Sequence, residues 1–248
     1  MVQPLRGNVF LFNTSPVNSY LIIDEKVIAV DVSTPTVARE MLKFLEKNPR
    51  GISRKIDLIT ATHFHWDHIA GSELLASLSQ AKLAFHSYVE HYLTHRQRIQ
   101  FPPLRKWIKG IFALRHHREV VHLPSFNDLM YSPLAGFPFA PNTLNVSVDF
   151  WLEDGQLLPG TTQWHVISTP GHVEDALCLY HRERQIMLTG DTIVNLKGSG
   201  ELNPFHNDAT SLFNSFHRLK AYPVEALYPG HGIPLRGDHL WEEIILCK

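Results

Sequence analysis

Residues 62–68 read Thr-His-Phe-His-Trp-Asp-His, directly after the apolar run Ile-Asp-Leu-Ile-Thr-Ala. Imidazole and carboxylate are poor core groups but good ligands for zinc and other borderline divalent metals. His63 and His65 are two apart in extended chain, so both can face one point. Asp67 and His68 begin a turn and can face a neighbouring point. Four donors divided in this way fit two metals side by side better than one closed structural site.

A two-metal site needs donors from elsewhere in the chain. Ser-Thr-Pro-Gly-His-Val-Glu-Asp places His172 after the strand-like run Gln163–Thr169. Leu-Thr-Gly-Asp-Thr places Asp191 after Gln185–Gly190. Tyr-Pro-Gly-His-Gly places His231 after Glu225–Tyr228. Each time a strand ends, a small residue permits a tight turn and one donor follows. Rigid scaffolds mount sites on such loops. Taken singly, Pro-Gly is only a turn signal, so the weight lies in the set and its order.

The elements that must carry these loops are legible in part. Residues 8–12, 19–24 and 26–31 are short β-rich runs broken by turn residues. Ser33 or Thr34 can cap a helix that starts at Pro35, with Val37, Met41, Leu42 and Leu45 at helical spacing. Residues 55–62 read as a buried strand, 69–80 as a helix and 82–86 as a strand. Strands are expected again at 145–152, 163–169, 176–181 and 185–191, and a short one at 225–228. An amphipathic helix is expected at 208–222, with Leu212, Phe213, Phe216 and Leu219 on one face. Residues 239–248 read as a closing helix. Between about 87 and 145, prolines 102, 103, 124, 133, 138 and 141 interrupt the pattern. This stretch is expected to be an insertion or lid on one domain spanning 1–248, with helical pieces at 87–98 and 104–118.

Composition sets outer limits. The chain has 248 residues, a net charge of −1 and 44% hydrophobic residues, which is ordinary for a globular protein with a substantial core. Nothing in the overall charge calls for nucleic acid. Two cysteines, Cys178 and Cys247, make no disulfide framework. No apolar stretch approaches the ~20 residues of a membrane span, and the N-terminus lacks a signal-peptide plan. A cytoplasmic location follows as the expectation.

The motifs THFHWDH, TPGH, TGD and PGHG, together with NSYLIIDEKVIAVDVS, resemble the metallo-β-lactamase superfamily. The resemblance runs from about residue 8 to 235, the middle insertion excepted. It implies an α+β fold, a four-layer αββα sandwich with metals in the cleft at one edge of the sheets. It also implies that His63, His65 and His172 hold one metal, that Asp67, His68 and His231 hold a second, and that Asp191 bridges them. Flavodiiron relatives put Glu where His65 stands, so the resemblance points away from that redox branch. The family's first hairpin usually ends Asp-Thr-Gly; here it ends Asp31-Val32-Ser33. Residues Val173-Glu174-Asp175 are one of several variants after TPGH. Neither departure removes a ligand.

The expected chemistry is that of a dinuclear hydrolase. Two metals about 3.5–4 Å apart share a water and lower its pKa from 15.7 to near 7. The resulting hydroxide attacks a carbonyl or phosphoryl centre, and Asp67 relays the proton to the leaving group. The expected cofactors are two divalent ions, zinc first, with iron and manganese compatible. An ester, lactone or thioester of a small acylated or anionic molecule is the expected substrate. The alternatives are a mononuclear iron oxygenase of the persulfide dioxygenase type and a phosphodiesterase of the same fold. Glyoxalase II enzymes carry a C-terminal helical part that binds glutathione; about sixteen residues follow PGHG here, so that part is not expected.

Substrate contacts are sought in the insertion. Residues 96–118 carry Arg96, Arg98, Arg105, Lys106, Lys109, Arg115 and Arg118 with no acidic residue. Apolar side chains, among them Trp107 and Phe112, are interleaved. The plain reading is a helical hairpin with a solvated basic face. The functional readings are a lid whose Trp107, Phe112, Phe137 and Phe139 grip the substrate, or a patch in peripheral contact with a membrane surface. Oligomeric state is not legible.

Overall fold

The computed structural model describes residues 2–14, 17–47, 55–99 and 144–246. Two sheets stack face to face. The first has seven strands in chain order: β1 (Val2–Pro4), β2 (Val9–Phe12), β3 (Ser19–Ile23), β4 (Val27–Val30), β5 (Leu58–Thr60), β6 (Lys82–His86) and β7 (Phe150–Leu152). Strands β1 to β4 are antiparallel, and β4 to β7 run parallel. The second sheet contains β8 (Trp164–Ser168), β9 (Leu177–His181), β10 (Ile186–Gly190), β13 (Ala226–Pro229) and β14 (Leu235–Arg236), in the order β14-β13-β10-β9-β8. Here only β10 and β13 are parallel. A small hairpin joins β11 (Ile193–Val194) to β12 (Glu201–Leu202).

Alternation along the strands builds the layers, because successive side chains point to opposite faces. In β3 and β4, Tyr20, Ile22, Ile28 and Val30 face the second sheet. Leu21, Val27 and Ala29 face the other way, onto helices α1 (Pro35–Glu46) and α3 (Ser72–Ser79). The second sheet mirrors this. Leu177, Leu179, Ile186 and Leu188 meet the first sheet, while Cys178, Tyr180 and Met187 meet helices α5 (Ala209–Leu219) and α6 (Leu240–Glu243). The result is the αββα sandwich, with apolar layers on both faces of each sheet. Fully burying one such Leu or Ile contributes roughly 1.5–3 kcal/mol. Among the described residues no helix is long and apolar enough to cross a membrane.

Local signals explain the helix starts. Thr34, rather than Ser33, caps α1: its side chain accepts from Val37 N, and Pro35 follows. Asp208 caps α5 by accepting from Thr210 N and Ser211 N. Several expected elements are shorter than their patterns. Among the described residues of the run 239–248, Leu240–Glu243 is helical, and Ile245 leaves the helix to pair with Glu201. Of 145–152 only Phe150–Leu152 is strand. Of 87–98, α4 (Val89–Leu93) is helical. The expected helix at 104–118 lies outside the described residues, as does most of the expected insertion.

The parallel strands matter most for the site. Ligands in open sheets of parallel strands bind outside the strands' carboxyl ends. Here β4, β5, β10 and β13 deliver Asp31, His63, Asp191 and His231 to the same edge of the sandwich.

Candidate metal centre

His63 and His65 leave β5 in extended chain, and His65 is the N-cap of α2 (Trp66–Ile69). Asp67 and His68 lie within that short helix, so the turn swings them to a different side from His63 and His65. His172 arrives after β8, Asp191 after β10 and His231 after β13. All seven side chains converge in three overlapping groups: His63, His65 and His172; His63, His68 and Asp191; Asp67, His68 and His231. Within each group the donor atoms lie within 4.8 Å of one another. His63, His65, His68, His172 and Asp191 are buried, whereas Asp67 and His231 are half-buried and mark the open side.

In the first group, His63 Nε2 and His172 Nε2 stand 3.0 and 3.2 Å from His65 Nδ1. The Phe205 carbonyl, 2.5 Å away, accepts from His172 Nδ1, which leaves Nε2 as the lone-pair side of the neutral ring. Burial pushes all three rings below the ordinary histidine value: His63 far below it, His65 to about 3, and His172 in the same direction. Neutral imidazoles with converging nitrogens are what a cation requires.

The second side combines carboxylates with imidazoles. Asp191 sits between three rings: its Oδ1 is 3.6 Å from His68 Nε2, and its Oδ2 is 3.6 Å from His172 Nε2 and 3.5 Å from His231 Nε2. Asp67 Oδ2 is 3.8 Å from His231 Nε2. Burial would raise the Asp191 carboxyl, but His231 and His68 hold it well below the carboxylate range. Burial likewise opposes charge on His68, yet Asp31 and Asp191 outweigh it and push the ring up to about 9. Among the described residues, His68 Nε2 and Asp191 Oδ1 are buried without a hydrogen-bond partner. Such atoms cost roughly 1–3 kcal/mol each unless something binds them. Divalent cations fit this donor set, with three imidazoles in one group and two imidazoles and a carboxylate in the other.

Surrounding residues fix the donors. Asp31, at the end of β4, accepts from Thr62 N and Thr62 Oγ1 at 2.7 and 2.9 Å, and its Oδ2 lies 3.2 Å from His68 Nδ1. Asn203, after β12, donates to Asp191 Oδ2 at 3.4 Å and accepts from Phe205 N at 2.9 Å, steadying the carbonyl that holds His172. Asn18 grips the His231 turn from the first sheet: its side chain donates to the Pro229 and Gly232 carbonyls, and its N–H to the Gly230 carbonyl. Two glycines leave the required space. A Cβ on Gly190, where φ is +50°, would stand 2.3 Å from Thr62 Oγ1; one on Gly230 would stand 2.4 Å from Asp191 Oδ1.

Of the hydroxyl residues near the motifs, Thr62 touches the donors. Ser168 pairs with His86, Thr169 with Thr192 and Thr189 with the Ile193 carbonyl. Sequence reasoning gave no role to Asp31, Asn203 or Asn18. For Asp31 a signal existed, a carboxylate ending the apolar strand Val27–Val30. Trp107, Phe112, Phe137 and Phe139 lie outside the described residues. Within the basic run, Arg96 and Arg98 are described, and both are exposed.

A histidine and aspartate centre at the strand ends of an αββα sandwich defines a class of metal-binding protein. The family model of the metallo-beta-lactamase superfamily matches residues 13–231, and the chain belongs to that superfamily. It is 33% identical over 130 residues to the hydroxyacylglutathione hydrolase of Bartonella tribocorum, a match covering 51% of this chain and 50% of that one. The chain thus spans about half the length of this relative. It is 27% identical to the "Probable metallo-hydrolase MJ0888" of Methanocaldococcus jannaschii, with 87% of each chain covered. Among solved structures, BLEG-1 B3 metallo-beta-lactamase superimposes with a TM-score of 0.64 at 17% identity, covering 92% of this chain and 93% of that one. TTHA1623 in a di-iron-bound form gives 0.58 at 21% identity, covering 92% and 94%. At these identities the two structures bear on the fold.

Proposed function

We propose that this protein is a dinuclear metal-dependent hydrolase that cleaves an ester, lactone or thioester bond in a small molecule. The observation that carries the reading is Asp191 placed between His68, His172 and His231, with a group of donors on either side. His63, His65 and His172 would hold one cation, Asp67, His68 and His231 a second, and Asp191 would face both. Bound there, divalent cations supply the charge that polarises a substrate oxygen and acidifies a water. Zinc suits the mixed nitrogen and oxygen donors, and iron and manganese are compatible.

The chain's own groups divide the remaining work. Asp67, half-buried on the open side, accepts the proton released by the attacking water and passes it to the leaving group. Burial keeps the imidazoles of His63, His65 and His172 neutral, and the Phe205 carbonyl holds the His172 proton on Nδ1, away from the centre. Among the described residues the one cysteine, Cys178, is no candidate nucleophile: it is buried, and burial pushes its thiol up to about 11. The similarity to hydroxyacylglutathione hydrolases supports trying a thioester first.

Elemental analysis after dialysis, followed by a panel of lactone, thioester, aryl ester and aryl phosphodiester, tests the reading. Two equivalents of metal and turnover of a carboxylic ester or thioester are expected. One equivalent of iron, with oxygen uptake on a persulfide and no hydrolysis, would replace it with an oxygenase. Turnover of the phosphodiester alone would move the substrate class.

A further inference from the structure

Asp175 lies three residues beyond His172 in the turn between β8 and β9, and it is buried. Its Oδ2 accepts from Phe64 N at 2.7 Å, and its Oδ1 accepts from the Tyr92 hydroxyl at 3.1 Å. Phe64 stands between His63 and His65. Its ring points away from both, edge-on to Phe85 at 5.4 Å and stacked with Tyr92 at 6.3 Å. Phe64 is therefore held at both ends, its backbone by Asp175 and its ring by the aromatic pair. One hydrogen bond further on, Leu177 N donates to the Thr62 carbonyl at 2.8 Å. The donor-bearing turn at 62–65 is thus pinned to the opposite half of the sandwich by two adjacent contacts.

A carboxylate is a costly choice if packing were the whole purpose. Buried charge destabilises unless it is fully bonded, and Asp175 uses both oxygens on neighbours of the centre. The peptide it grips joins two of the histidines, so its position sets the aim of both rings. Tyr92 belongs to α4, so the same carboxylate also ties the turn to that helix.

We infer that Asp175 is a positioning residue for the metal centre: by holding the Phe64 N–H and the Tyr92 hydroxyl together, it sets the separation of His63 and His65. The inference rests on the metal-centre reading above and concerns ligand geometry, not substrate.

The test uses the full chain and cobalt(II) as the probe, with affinity read by chelator competition and geometry by the visible absorption bands. Asp175→Ala is expected to bind cobalt about 10–100-fold more weakly, with an altered spectrum. Asp175→Asn, which can still accept from Phe64 N and donate to the Tyr92 oxygen, is expected to recover most of both. Unfolding of the metal-free proteins is measured alongside. If Asp175→Ala does not fold, Asp175→Ser, too short to bridge the two partners, takes its place with the same expectation. Wild-type affinity and spectrum in the Ala or Ser variant, whatever its stability, would overturn the inference and leave Asp175 a packing residue. Absence of cobalt binding by the wild-type chain would instead overturn the metal-centre reading itself.

Discussion

Asp31 Oδ2 stands 3.2 Å from His68 Nδ1, with both side chains buried. The same carboxylate holds Thr62 N, one residue before His63, so one side chain steadies donors on both sides of the centre. Its backbone is left-handed, with φ +54°, a conformation that Asp tolerates better than most residues. Asp31→Asn should retain the Thr62 bond but lose the charge behind His68. Metal affinity is expected to fall about 10–100-fold with little change in fold, measured by calorimetric titration. Asp31→Ala should also lose roughly 1–3 kcal/mol of stability, because Thr62 N is left without its acceptor.

His63→Ala and His231→Ala remove members of different donor groups. Each should lower the metal retained per chain and abolish turnover, checked by elemental analysis and assay on the same samples. Wild-type metal content and full activity in either variant would be incompatible with the dinuclear reading.

Gly230→Ala tests space rather than ligands. The added Cβ would lie 2.4 Å from Asp191 Oδ1 and 2.9 Å from His68 Cε1. Metal affinity should fall at least about tenfold, with a modest overpacking cost of roughly 1–3 kcal/mol. Gly155→Ala is the control: its Cβ meets nothing within 4 Å, so only the strain of φ +81° is felt, and metal binding should be unchanged.

A pH effect is expected far from the centre. Arg184 donates to both oxygens of Asp24, at 2.7 and 3.1 Å, joining the β3–β4 turn to the β9–β10 turn. Burial would raise the Asp24 carboxyl, but Arg184, with His181, holds it below 3.8. A depressed carboxylate stabilises fully above its unfolded value and loses that contribution as pH falls through the folded one. Asp24→Asn should therefore cost about 1 kcal/mol near neutral pH and progressively less below 3.8. Urea unfolding of both proteins across that range measures the difference.

Much of this molecule is local enough to be read from residue order. β-rich runs between turn residues marked strands, Pro35 after Ser33 or Thr34 marked a helix start, apolar spacing marked the helix near 208–222, and a donor after each strand end marked the centre. What escaped was decided at a distance. Asn203 and Asp191 are twelve residues apart and joined by a hairpin whose strands are two residues long, too short to leave a periodicity. The apolar spacing of 239–248 is helical, but pairing between Ile245 and Glu201 prevails after Glu243. Asn18 meets its partners more than two hundred residues away.

The donors come from both halves of the sandwich, four before residue 70 and three after residue 170. Each cation would take donors from both halves and so bind only where the halves are docked, and saturation at a thousandfold over Kd would add about 4.1 kcal/mol to that docking. Metal supply would then govern the lifetime of the protein in a cell as well as its activity. Chains made during metal starvation should open more often, meet proteases sooner and accumulate to lower levels, with their synthesis unchanged.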